Sequence, residues 1–296
     1  MAGARASRAG PPRRWRRYLA VIGLFPFLGY VIFFLAVPAG TVMVEAFRNN
    51  NGQLSLSNLS AVLSPHQPWV HSYVVSLELS GTCAVLAGVI GLVATVALVS
   101  APSMVLRRLV TTACGVLANT GGVPLAFAFI ATIGNAGIAT HVLADIGLSP
   151  YNHGWTLYSF SGLVVVYLYF LVPLVILLML PPVEALRREW REAAATLGAD
   201  SRTYWQKVGL PVLTPPVVAT LMVLFMDAFA AYATAEALTT GSVPLVPIEI
   251  GSLLAGNVVA NQANLGDALG FGMIVIVAVA RTLYVFVQRK TARWLR

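Results

Sequence analysis

Six stretches of this chain, at residues 18–44, 71–99, 109–134, 155–181, 212–236 and 267–288, are long, apolar and carry two charged side chains at most. A helix needs about 20 predominantly apolar residues to cross a bilayer, and each stretch reaches that length. The runs do not alternate apolar with polar residues, as the strands of a closed barrel do. The fold class expected is therefore an all-α integral membrane protein with six transmembrane helices. Composition agrees, since 58% of the 296 residues are hydrophobic and only 10% are charged, where a soluble domain carries roughly a quarter. The first run follows Arg13, Arg14, Arg16 and Arg17. A basic segment before an apolar run also begins a secretion signal, but this run is too long for one and five more follow, so it reads as an uncleaved span.

The basic residues set the orientation, because Lys and Arg collect on the cytoplasmic side. All 19 of them except Arg48 and Arg281 fall into four segments on one side. These are the N-terminal segment 1–17, the turn holding Arg107 and Arg108, the polar loop 183–211, and the tail 289–296. Both termini and that loop are expected to face the cytoplasm. The net charge of +8 follows from this asymmetry and from attraction to anionic lipid, so no nucleic-acid partner is implied. Cys83 and Cys114 lie inside apolar runs and read as small buried hydrophobes. His66, His71, His141 and His153 are scattered without metal-ligand spacing, so no metal site is expected.

The loop 183–211 is too ordered to be a plain connection. Ala193, Ala194 and Ala195 favour a helix, Gly198 can take the left-handed conformation that ends one, and Asp200 can cap a second. Tyr204 and Trp205 give that second helix an aromatic face suited to an interface. Pro211 is expected to end it before the next span.

The spacing Glu192-Ala193-Ala194, three residues, Gly198, nine residues, Val208, one residue, Leu210-Pro211 resembles the EAA loop of permease subunits in bacterial ATP-binding-cassette importers. Val208 stands where the family pattern has isoleucine. The resemblance extends more loosely over residues 70–288. It implies the six-span importer permease fold, with Glu192 and Gly198 keeping the loop's shape and residues 199–207, Asp200, Tyr204 and Trp205 among them, docking on a cytoplasmic ATPase. The chain has no phosphate-binding loop of its own. It is therefore expected to be no enzyme and to bind no cofactor, with ATP and Mg used by a partner ATPase dimer. The remaining partners implied are a second permease subunit, more readily a different chain than a copy, and an extracytoplasmic solute-binding protein.

Ionisable groups inside spans are expensive and point to function. Asp227 lies past the middle of the fifth run, and Thr234, seven residues on, is expected on the same helix face, with Tyr232 and Glu236 extending the polar character outward. Asp227 either lines the solute pathway or pairs with Arg281 or polar backbone, and the spacing does not choose. Glu78 in the second run is a weaker pathway candidate. Asn119 precedes Gly121, Gly122 and Pro124, a cluster that either breaks the third span beside the solute or serves close helix packing. The outer half holds few acidic and almost no basic groups, which suggests a cationic or neutral polar solute. Residues 228–241 resemble the polyamine, iron, sulfate and phosphonate branch of these permeases more than the sugar branch; the match does not choose among these solutes, and the cargo expected is a small polar solute, polyamine-like. The competing class, a secondary transporter or channel working alone, would show paired halves with repeated broken helices, and the sequence shows no such repeat. A membrane-embedded enzyme would need clustered nucleophile, base or metal ligands, which are absent.

Overall fold

With no water in the bilayer core, the backbone must satisfy its own polar groups, and long helices do so. The computed structural model of the chain describes residues 24–49, 52–64, 67–147, 150–255 and 263–292. The basic residues expected before the first span, the opening of that span, His66, Arg293 and Arg296 lie outside the described residues, as do the side chains of Arg188, Arg289 and Lys290. In chain order the helices are α1 (Leu24–Glu45), α2 (Ser57–Val62), α3 (Trp69–Ser100), α4 (Met104–Leu117), α5 (Gly122–Ile133) and α6 (Ile138–Asp145). Then follow α7 (Phe160–Glu184), α8 (Arg188–Thr196), α9 (Ser201–Tyr204), α10 (Leu210–Ala230), α11 (Ala233–Thr239), α12 (Val246–Leu254) and α13 (Ala263–Ala292). Among the described residues six helical segments are long and apolar enough to cross a bilayer, and the only strand-like pairing is an isolated bridge between Arg48 and Leu54.

The centre of the bundle is α3, α7 and α10. Cys83, Ala87, Leu163, Val166, Tyr167, Leu171, Val175, Leu213 and Leu224 meet there, nearly or wholly buried. Small residues let these helices approach closely, which is how helices associate in lipid. A β-carbon at Gly91 would come within 2.5 Å of the Val175 side chain. Prolines inside α7 (Pro173, Pro181, Pro182) and α10 (Pro215, Pro216) are tolerated because the surrounding helices support the backbone. By contrast α1 buries none of its apolar window and lies at the edge, against α13.

The third apolar run, 109–134, does not form one span. It is divided into α4 and α5, which break apart at residues 118–121, and the segment there long and apolar enough to cross a bilayer is Gly122–Asp145, made of α5 and α6. The glycine pair supplies the reason: Gly122 sits at φ +76, a backbone that β-carbon-bearing residues rarely adopt. The two halves also have different neighbours, α4 against α7 and α5 against α11. At the expected cytoplasmic end Arg107 of α4 pairs with Glu184 of α7. At the other end Arg48 is neutralised locally by Glu45, 2.8 Å away.

Candidate functional site

Two regions gather the residues singled out from the sequence. The first is the hook formed by α8 and α9. Helix α8 closes in a Schellman motif, with Ala199 N–H donating to Ala194 C=O at 2.9 Å and Gly198 N–H to Ala195 C=O at 2.9 Å. This geometry requires a left-handed residue, and Gly198 supplies it at φ +75. Asp200 then caps α9, its Oδ1 accepting from Thr203 N–H at 2.9 Å. The hydrogen bonds from Thr203 hold the Asp200 carboxyl below its ordinary value. Leu197, an apolar residue 87% exposed, stands at the tip beside Gly198.

The aromatic pair turns the other way from the outward face expected of it. Tyr204 is buried and Trp205 packs on the membrane core, their rings edge-on at 5.9 Å. They brace the hook against the bundle. Behind it lies a cleft of about 590 Å³ that takes in Glu192 and Arg191 from α8 and Val96, Val99 and Leu186 from the bundle. Ala193 and Ala194 lie in the middle of α8.

Pro211 does not end the second helix of the hook. A π-turn over Trp205–Gly209 carries α9 directly into α10, with Leu210 N–H reaching back to Trp205 C=O. Pro211 stands two residues after that π-turn, inside the helix rather than at its end. Residues Ser201–Ala230 therefore form one continuous helical span of 30 residues, and Val208, Leu210 and Pro211 are part of it.

The second region lies at the far end of that span. There α10 stops at Ala230, and Ala231 is extended at ψ 104 before α11 begins. This break sits beside the break between α4 and α5. Gly122 N–H donates to Thr234 Oγ1 at 2.8 Å, joining residues 112 apart in the chain. Tyr167 Oη–H donates to Ala231 C=O at 3.0 Å, satisfying a carbonyl that the broken helix leaves open. Around the two breaks is a cavity of about 400 Å³ lined by Asn119, Gly122, Phe170, Asp227, Tyr232 and Thr234 among others. Four sequence candidates, Asn119, Asp227, Tyr232 and Thr234, thus come together.

The reason differs from the one the spacing suggested. The helix ends between Asp227 and Thr234, so the seven-residue repeat does not place them on one face, and the cavity unites them across the break. Asp227 is exposed on this single chain and makes no ion pair among the described residues. Arg281, considered as its partner, instead stacks over the Tyr284 ring at 5.0 Å. Glu78 is exposed on α3 and is not among the residues lining the cavity. One carboxylate oxygen of Glu236 is buried without a hydrogen-bond partner. Sequence reasoning missed Tyr167 and Phe170. For Tyr167 a signal existed, because a tyrosine in the middle of an apolar run needs a partner for its hydroxyl.

A family model described as the inner membrane component of binding-protein-dependent transport systems matches residues 87–296. The trehalose/maltose transport system permease protein MalF of Thermococcus litoralis is 28% identical over 162 residues, a match covering 54% of this chain. The chain spans about half the length of that curated relative, 53% of which is matched. A crystal structure of a bacterial ABC transporter involved in the import of the acidic polysaccharide alginate shares the fold at a TM-score of 0.68 and 17% identity, covering 95% of this chain and 99% of that one. A second structure, the bacterial alginate ABC transporter in complex with alginate pentasaccharide-bound periplasmic protein, matches at a TM-score of 0.68 and 16% identity, covering 94% and 96%.

Proposed function

The chain belongs to the family of binding-protein-dependent transport system inner membrane components, and from that membership we propose that it is the permease subunit of a bacterial ATP-binding-cassette importer. It forms half of a solute pathway through the cytoplasmic membrane, with both termini inside, and a second permease of different sequence supplies the other half. It is not itself an ATPase: a separate cytoplasmic pair binds ATP and Mg and grips the hook. An extracytoplasmic binding protein delivers the solute. One observation carries this reading. The exposed, glycine-turned hook is continuous through α10 with the break and cavity around Asp227, so movement imposed at the hook reaches the cavity through a single helix.

The cargo we propose is a carbohydrate, in place of the polyamine-like solute that residues 228–241 suggested. The support is that the names of the relatives speak of trehalose and maltose and of alginate. Those names leave the charge of the cargo open, since the first two are neutral and the third is acidic.

Gly198→Val tests the hook. Forcing a β-branched residue into the left-handed region costs about 1–2 kcal/mol, enough to lower the population of the docked hook about tenfold. In the purified complex, ATP hydrolysis stimulated by loaded binding protein is expected to fall to its basal level and uptake to stop, while the chain still inserts in the membrane. Undiminished stimulation and uptake would sink the assignment.

A further inference from the structure

The cavity at the two helix breaks carries one charge. Among the described residues that line it, Asp227 is the only ionisable acid or base apart from the phenol of Tyr232, and none is a Lys, Arg or His. The described cations whose surroundings are fixed lie elsewhere: Arg48 pairs with Glu45, Arg107 with Glu184, and Arg281 sits over Tyr284. The donors at the breaks are largely committed inside the protein. Gly122 N–H is taken by Thr234, the Thr234 hydroxyl leans toward Gly122 C=O at 3.4 Å, and Asn119 gives one amide hydrogen to Gly115 C=O at 2.8 Å. What the cavity offers a visitor is a carboxylate with open acceptor positions, an amide oxygen, and the ring of Tyr232, 43% exposed.

A bare carboxylate at membrane depth is costly unless water or a ligand's donors solvate it. Hydroxyl groups do this well, because charge-assisted hydrogen bonds to an ionised acceptor are roughly twice as strong as neutral ones. A second anion meets the opposite situation, with like charge nearby and no cation to offset it. We propose that Asp227 makes this cavity a charge filter, which admits uncharged polyhydroxylated solutes and refuses acidic ones such as uronic-acid oligomers. The hydroxyls of the solute donate to Asp227, and the apolar face of a sugar ring lies against Tyr232. This rests on the carbohydrate reading above and decides the point it left open.

The test uses the assembled transporter in proteoliposomes, without binding protein, so that delivery does not set the outcome. A hydrophobic carbodiimide labels membrane carboxyls, and the adduct at Asp227 is read by peptide mass spectrometry. A neutral maltooligosaccharide is expected to slow labelling severalfold, and an oligouronate of the same length to leave it unchanged. Equal slowing by both overturns the filter and leaves the carbohydrate reading standing. No slowing by either saccharide, with slowing by a polyamine, overturns both. With binding protein present, Asp227→Asn is expected to raise the ratio of acidic to neutral oligosaccharide uptake about tenfold, equivalent to about 1.4 kcal/mol, while Asp227→Glu keeps the wild-type ratio. An unchanged ratio in an Asp227→Asn transporter that still imports the neutral sugar overturns the filter. The labelling arm uses the native chain and stands whether or not the variant assembles.

Discussion

Thr234 fastens two interrupted helices to each other with one hydroxyl. It is 3% exposed, and its oxygen accepts the N–H of Gly122, a group without a helical partner because α5 begins there. Removing the hydroxyl in Thr234→Val leaves a part-buried donor without its partner, at a cost of about 1 kcal/mol. Thr234→Ser keeps the bond. The valine variant is expected to melt at a lower temperature in detergent and to transport poorly, with the serine variant close to wild type in both. Equal melting temperatures for the two would show that the bond does not hold the breaks together. This tie was not legible in the sequence, because nothing in either segment reports on the other across 112 residues. Asn119, Asp227, Tyr232 and Thr234 were legible singly, as polar groups in apolar runs, and the spacing argument that joined two of them fails at Ala231.

At the level of the element, the hook was readable almost to the residue. Its stop at Gly198 and its cap at Asp200 are local events, governed by backbone sterics and by a side chain that reaches three residues along its own chain. Pro211 was misread for an equally local reason, since a proline ends a helix or is carried within one according to what precedes it, and here a π-turn precedes it. The direction of Tyr204 and Trp205 was beyond local rules, because it depends on the bundle behind them. The cap also has a pH dependence. Hydrogen bonds hold the Asp200 carboxyl below its ordinary 3.8, so its contribution is complete above that value and is lost as pH falls through the depressed one. Retention of the ATPase on the immobilised complex is therefore expected to weaken only at pH below about 3.8. Asp200→Asn keeps a capping oxygen and removes this dependence, whereas Asp200→Ala loses the cap at every pH. A wild-type profile in Asp200→Asn would assign the titration to another group.

For the whole molecule, apolar length was enough to reach six spans among the described residues, because the bilayer leaves a chain few alternatives. Apolar length could not give the break between α4 and α5 or the shift of the third span to Gly122–Asp145, which depend on the neighbours each segment finds. The helix from Ser201 to Ala230 runs about 45 Å without a break, from the hook to the rim of the cavity. Such a rod fixes angle as well as distance. Each residue turns a helix by about 100°, so the bearing of Asp227 relative to Trp205 is set by the count of residues between them. One alanine inserted after Leu221 would swing Asp227 out of the cavity and leave the hook undisturbed. ATPase retention is expected to persist in that variant while uptake is lost, and uptake at the wild-type rate would mean that the rod yields in torsion. The hook and the carboxylate are thereby held in phase, and the number of residues between them sets that phase.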